Sequence, residues 1–231
     1  MKYSKSIRAS LIIAAACAAM AAPAAAQRAD RSIEIYHIFD IKTDAPRSEV
    51  ARAMTDGLNI NVSDSDTIMP LVRGAPPETP GTFELVNPFE NSRLGGLGAL
   101  LGASQQAQIK QVQCDGAVWI ANAVRRIRES QKLRMTMCLF PYTDGYHLDV
   151  YAVDTQEKGG GLAARLGRAI AGAVVKNPRE WTNKTILDTV RSVTRQTGAE
   201  VRYIEGQPSF EGTPWLDDTT LLPSEAEQTD D

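Results

Sequence analysis

RMTMCLFPYTDGYHLDVYAV, residues 134–153, is the stretch that decides the fold class. Two runs rich in strand-forming residues, Arg134–Tyr142 and Tyr146–Val153, flank Thr143-Asp144-Gly145, and Asp-Gly is a preferred two-residue hairpin turn. With Asp144-Gly145 as the loop, Thr143 faces Tyr146 and the register of the whole β-hairpin at 134–153 follows. Side chains alternate along a strand. Met135, Met137, Leu139, Pro141, Leu148, Val150 and Ala152 therefore share an apolar face, predicted to be core. Thr136, Cys138, Phe140, Tyr142, His147, Asp149, Tyr151 and Val153 share the other. Pro141 has no N–H to give to a ladder, so its strand is expected at a sheet edge or disturbed near the turn.

Upstream of the hairpin, Asp115 can cap a helix toward Ser130 with Ala117, Ile120, Val124 and Ile127 along one side. The same residues also read as an Asp115-Gly116 turn followed by a returning strand, Ala117–Val124. Nearer the N-terminus, Ile33, Ile35, His37, Phe39 and Ile41 alternate as one face of a strand. Asp44 then offers an N-cap, Pro46 falls in the first turn, and a helix with Val50 and Met54 inward is expected to stop at Gly57. Leu58, Ile60 and Val62 alternate again as a second strand. Prolines and glycines punctuate residues 64–106 and exclude long elements there.

Downstream, Gly159-Gly160-Gly161 separates the hairpin from a helix over Leu162–Lys176. Asn177-Pro178-Arg179-Glu180 is a helix start, with Asn at the N-cap, Pro at N1 and Glu at N3. That helix is predicted to run to Thr197 with Trp181, Ile186, Val190 and Val193 inward, closed by Gly198, before a last strand at Val201–Ile204. These elements make a single α+β domain over 27–206, a mixed or antiparallel sheet with helices packed on one face. An acidic, largely disordered tail is expected over 207–231.

The N-terminus supplies an address. Lys2, Lys5 and Arg8 precede an apolar run from Ala9 to Ala22, and Ala24-Ala25-Ala26 offers a cleavage site before Gln27. Residues 1–26 thus read as a signal peptide, too short in its apolar part for a membrane span of about 20 residues. Losing those three positive charges takes the formal net charge from -3 to -6. An acidic mature chain argues against nucleic acid as a partner, and no transmembrane helix is expected after processing. Cys17 lies inside the signal, where Ala14-Ala15-Ala16-Cys17 is an imperfect lipobox; cleavage there would leave a lipid-anchored outer-membrane component. Otherwise the product is periplasmic or secreted. Cys114 and Cys138 remain as an even pair in an oxidising compartment, which favours a disulfide.

No motif points to a catalytic centre, a cofactor or a metal. His147 and Asp149 lie two apart on one strand face, the one pairing that could serve a small hydrolase or metal-dependent enzyme. Arg125, Arg126, Arg128, Lys132 and Arg134 form a basic cluster suited to an envelope protein or an anionic membrane surface. The Gly/Leu-rich segment 94–103 could cover an apolar partner. The expected function is a non-catalytic binding or cell-envelope accessory protein using one of these two surfaces.

Overall fold

The computed structural model describes residues 31–88, 103–128, 131–156 and 178–216. In chain order the elements are β1 (Arg31–Lys42), α1 (Arg47–Asn59), β2 (Ser65–Ile68), β3 (Glu84–Val86), α2 (Ala103–Ile109), β4 (Gln111–Gln113), β5 (Trp119–Arg128), β6 (Gln131–Tyr142), β7 (Gly145–Gln156), α3 (Pro178–Thr197) and β8 (Glu200–Gln207). Six strands form one sheet in the order β2-β5-β6-β7-β1-β8, and β3 pairs with β4 in a separate ribbon. Every neighbouring pair is antiparallel. The architecture is α+β.

The hairpin forms with its turn one residue earlier than expected. Tyr142 faces Gly145, and Thr143-Asp144 is the loop. The pairing moves by two residues, which leaves both faces unchanged because the side-chain period is two. Gly145, now the first residue of β7, is also constrained by the neighbouring strand. Gly145 lies opposite Lys42 with φ +148°, and a Cβ there would collide with the Ile41 carbonyl oxygen. Gly145 therefore serves the β1–β7 contact as well as the turn. Pro141 does not mark an edge, since β6 lies between β5 and β7. It stands beyond Trp119↔Leu139, the last β5–β6 pair, so its missing N–H interrupts no ladder on that side.

One sheet face carries the main core. Ile35, Phe39 and Ile41 of β1, Met137 and Leu139 of β6, and Leu148 and Val150 of β7 are buried against Val50, Met54 and Leu58 of α1 and Ile186, Val190 and Val193 of α3. Helix α1 starts later than expected. Pro46, not Asp44, is its N-cap, and the Pro46 carbonyl accepts from the N–H groups of Glu49 and Val50. Gly57 does not stop α1; it is buried inside the helix where α1 crosses α3. Leu58 consequently belongs to the last helical turn, and Ile60 is exposed rather than part of a strand. The second strand is β2, further on. Helix α3 runs as the sequence predicts, and the Gly198 N–H closes it on the Thr194 carbonyl at 2.9 Å.

Residues 119–128 are strand, not helix. The turn at Asp115-Gly116 exists, but β5 returns along β6 and β2 rather than along the strand before the turn. The opposite face of the sheet is covered by the β3–β4 ribbon and by α2, a helix absent from the sequence-based expectation. Lys110, just past α2, ion-pairs with Glu34 at 3.0 Å, and Arg134 donates to the Gln108 carbonyl at 2.5 Å. The helix expected over 162–176 lies outside the described residues, as do residues 1–26 and 94–102.

Packing continues past residue 206. Phe210 stacks on His37 with ring centroids 4.2 Å apart, and Trp215 is buried with its indole N–H on the Val201 carbonyl at 3.2 Å. Residues 207–216 thus belong to the folded unit, not to a tail. Their two large aromatic side chains cover β8.

Candidate functional site

Cys114 and Cys138 are joined by a disulfide, with Cα atoms 6.0 Å apart. The bond ties the turn before β5 to the middle of β6, on the face away from α1 and α3. Cys138 is fully buried with Ala117 and Phe140, while Cys114 is half-buried at the rim.

His147 and Asp149 share that face but have separate partners. The His147 Nε2 lies 3.6 Å from Asp40 Oδ1, and the Tyr142 ring meets the imidazole edge-on at 5.5 Å. Asp40 is buried and already engaged. It accepts from the Tyr142 hydroxyl at 2.5 Å and from Arg202 at 3.3 Å, with the Lys42 ammonium at 3.9 Å. Burial lowers the His147 pKa more than Asp40 raises it, so the imidazole is neutral at pH 7. A carboxylate with these partners anchors the hairpin end of the sheet; its oxygens are committed to the fold.

Asp149 is fully buried in the middle of the face. Its Oδ2 accepts the Phe83 N–H at 3.1 Å, and its Oδ1 has no partner among the described residues. Burial pushes its pKa up to about 7, with Glu205 adding in the same direction and the Phe83 N–H opposing. Among the described residues no three His, Cys, Asp or Glu side chains converge as a metal site would require.

The basic cluster is divided between the two faces of the sheet, with Arg125 on one and Lys132 and Arg134 on the other. Arg125 lies opposite Leu133, a core residue, and its guanidinium sits 4.6 Å from the Trp181 ring centroid on the α3 side. Arg134 and Lys132 alternate onto the other face, where Arg134 is occupied by the end of α2. The backbone of Arg126 faces Lys132, and that of Arg128 faces Gln131.

A sizeable cleft lies elsewhere. A strap over residues 72–81, the 115–118 turn, and Phe140, Pro141 and Tyr146 from the hairpin enclose a cavity of about 850 Å³. Its walls are mostly apolar: Val72, Ala75, Pro76, Pro77, Pro80 and Val118 join the two aromatic rings. Three charged side chains line it, Arg47, Arg73 and Asp115. Arg47 donates one N–H to the Val72 carbonyl at 3.0 Å, and the Asp115 carboxylate takes the Gln113 amide at 2.7 Å. Thr143 holds the strap through the Pro77 carbonyl, with its N–H at 2.9 Å and its hydroxyl at 3.1 Å. A smaller cavity of about 290 Å³ opens between β4 and β6, beside Lys110, Arg134 and Tyr151. Neither is lined by His147 or Asp149.

Sequence reasoning did not find the cleft. Its walls come from four segments distant in the chain, and only the proline density of the strap signalled anything unusual there. No protein-family model matches the chain, and no curated protein matches it.

Proposed function

We propose that the chain is an exported, non-catalytic binding protein whose contact surface is the cleft beneath the 72–81 strap. The observation that carries this reading is the make-up of that cavity: about 850 Å³, apolar and aromatic walls, and two arginines against one acid. Pockets for small molecules and short segments have this volume and this mixture of many apolar groups with few polar ones. The ligand that fits has an apolar body and one anionic group. Its body would pack on Phe140, Tyr146 and the prolines while its charge meets Arg47 and Arg73. The signal-like Met1–Ala26 pattern and the Cys114–Cys138 bond support export to an oxidising compartment. Among the described residues no helix is long and apolar enough to cross a membrane.

Anilinonaphthalene sulfonate, an apolar ring system with one sulfonate, is a suitable probe. Titrated into the mature chain, it should bind saturably at one site and brighten. The double reversal Arg47→Glu with Arg73→Glu should weaken it at least about tenfold, the loss of roughly 1.4 kcal/mol, while the near-ultraviolet dichroism stays native. Saturable binding indifferent to both reversals, or no saturable binding, contradicts this reading.

A further inference from the structure

Cys138 and Asp149 are direct partners across the β6–β7 ladder, on the same face, and both side chains are fully buried. Cross-strand neighbours of this kind hold their Cβ atoms about 4.5–5.5 Å apart. Asp149 uses Oδ2 for the Phe83 N–H and leaves Oδ1 bare among the described residues. A buried oxygen without a donor is costly as part of a carboxylate and much less so when it carries the proton itself. The two cysteines differ in access. Cys114 is half-buried on the turn, whereas Cys138 sits among Ala117, Phe140 and Phe83. An incoming thiolate therefore reaches the Cys114 sulfur first, and Cys138 is the leaving group. A thiolate released among these apolar side chains would be destabilised and would leave slowly.

We propose that Cys114–Cys138 is a site of thiol–disulfide exchange with an external dithiol, in which Asp149 hands its proton to the departing Cys138 sulfur. A thiolate of the dithiol attacks Cys114 Sγ and forms a mixed disulfide. The Cys114–Cys138 bond breaks, its electron pair goes to Cys138 Sγ, and the proton on Asp149 Oδ1 follows. The second thiol of the partner loses its proton to water and attacks its own sulfur in the mixed disulfide. Cys114 leaves as a thiolate and is protonated by solvent, which also returns a proton to Asp149. The dithiol is oxidised to a disulfide and the cysteine pair is reduced to two thiols by two electrons. In the reverse direction the Asp149 carboxylate takes the Cys138 proton.

The surroundings suit that role. Among the described residues, Glu205, opposite Ile38 across β1, adds negative charge near Asp149; His147 and Tyr151 flank it on β7; β6 presents Cys138; and the segment just past the strap offers the Phe83 N–H. With its pKa up to about 7, Asp149 holds its proton through the mildly acid range. The exchange chemistry stands whether or not the cleft has a ligand.

The test is the rate of reduction of the mature protein by excess dithiothreitol from pH 5 to pH 9, for the wild type and Asp149→Asn. The reagent's own ionisation cancels in the ratio of the two rates. The wild type should be faster by about tenfold or more near pH 5–6, as expected for general acid help, and the ratio should fall toward one above pH 8. Asp149→Glu should restore part of the profile. A ratio independent of pH, or an asparagine variant faster throughout because its fold has loosened, overturns the proposal. Should the asparagine variant not fold, the carboxyl carbon of Asp149 in labelled wild-type protein gives the answer. Its titration midpoint should differ by at least about half a pH unit between the disulfide and dithiol forms, and an identical titration in both overturns it.

Discussion

His37 and Asp149 carry opposite penalties for burial, and their pH dependences oppose one another. His37 is fully buried, with Nδ1 3.0 Å from the Tyr203 hydroxyl and Nε2 without a partner among the described residues. Burial takes its pKa from 6.5 down to about 4. Stability linked to His37 is therefore present above pH 6.5 and is lost as the pH falls through about 4. Asp149 moves the other way, from 3.8 up to about 7. Its contribution is fully present below pH 3.8 and is lost as the pH rises through about 7. Between about pH 4 and 6.5 the folded chain keeps the proton of Asp149 and lacks that of His37, while the unfolded chain does the reverse. Their slopes cancel in that window. Asp149→Asn removes one of the pair, so its stability relative to the wild type should rise with pH. The gain should reach roughly 4 kcal/mol between about pH 4 and 7, because each pH step of one across that window contributes about 1.4 kcal/mol. Urea unfolding of both proteins at about pH 4.5, 5.5 and 6.5 measures this. A difference that stays constant or falls with pH would show that Asp149 is not held protonated by its site.

At the scale of elements, what could be read in advance was what local signals determine. The alternation in β1, the two faces of the hairpin and the run of α3 from Pro178 to its close at Gly198 depend on neighbours in sequence, and they formed as expected. Residues 117–127 left two readings open, helix and strand, because Ala117, Ile120, Val124 and Ile127 repeat at helical spacing and also suit a strand; the strand is the one that forms. Pairing along both β6 and β2 settled that ambiguity, and no local preference reports it. Leu58-Ile60-Val62 misled for the opposite reason: α1 continues past Gly57, a residue that reads as a stop. Gly57 is there for contact, since a Cβ would lie 2.6 Å from Thr189 Cα on α3. In an exposed helix, glycine to alanine stabilises by up to about 1 kcal/mol. Here Gly57→Ala should destabilise by about 1–2 kcal/mol, because overpacking two helix backbones outweighs propensity. Thermal unfolding of the variant checks the sign; a raised melting temperature would mean that α1 and α3 are not in backbone contact.

The whole molecule is a six-stranded sheet with different covers on its two faces. Helices α1 and α3 seal one face through a continuous apolar core. The other is covered piecewise by α2, the small ribbon and the strap, which are held by a few polar links each. Cys138 and Asp149, side by side on the sheet, hold Cys114 just before the 115–118 turn and Phe83 just past the strap. Two of the sequence-based candidates fare differently at this scale. Arg125 and Arg134 take opposite faces of the sheet, and His147 and Asp149 serve separate contacts. The cleft could not be anticipated from any one segment, because Arg47, the strap, the 115–118 turn and the hairpin meet only through the complete topology.

The central claim, that this cleft is the contact surface, is tested most directly by following the backbone amide resonances of the mature protein during titration with anilinonaphthalene sulfonate. The account predicts resonance changes concentrated in residues 72–81, 115–118 and 140–146, with residues 122–125 and 132–136 unmoved. Changes centred on that second region, or spread evenly over the sheet, would contradict it.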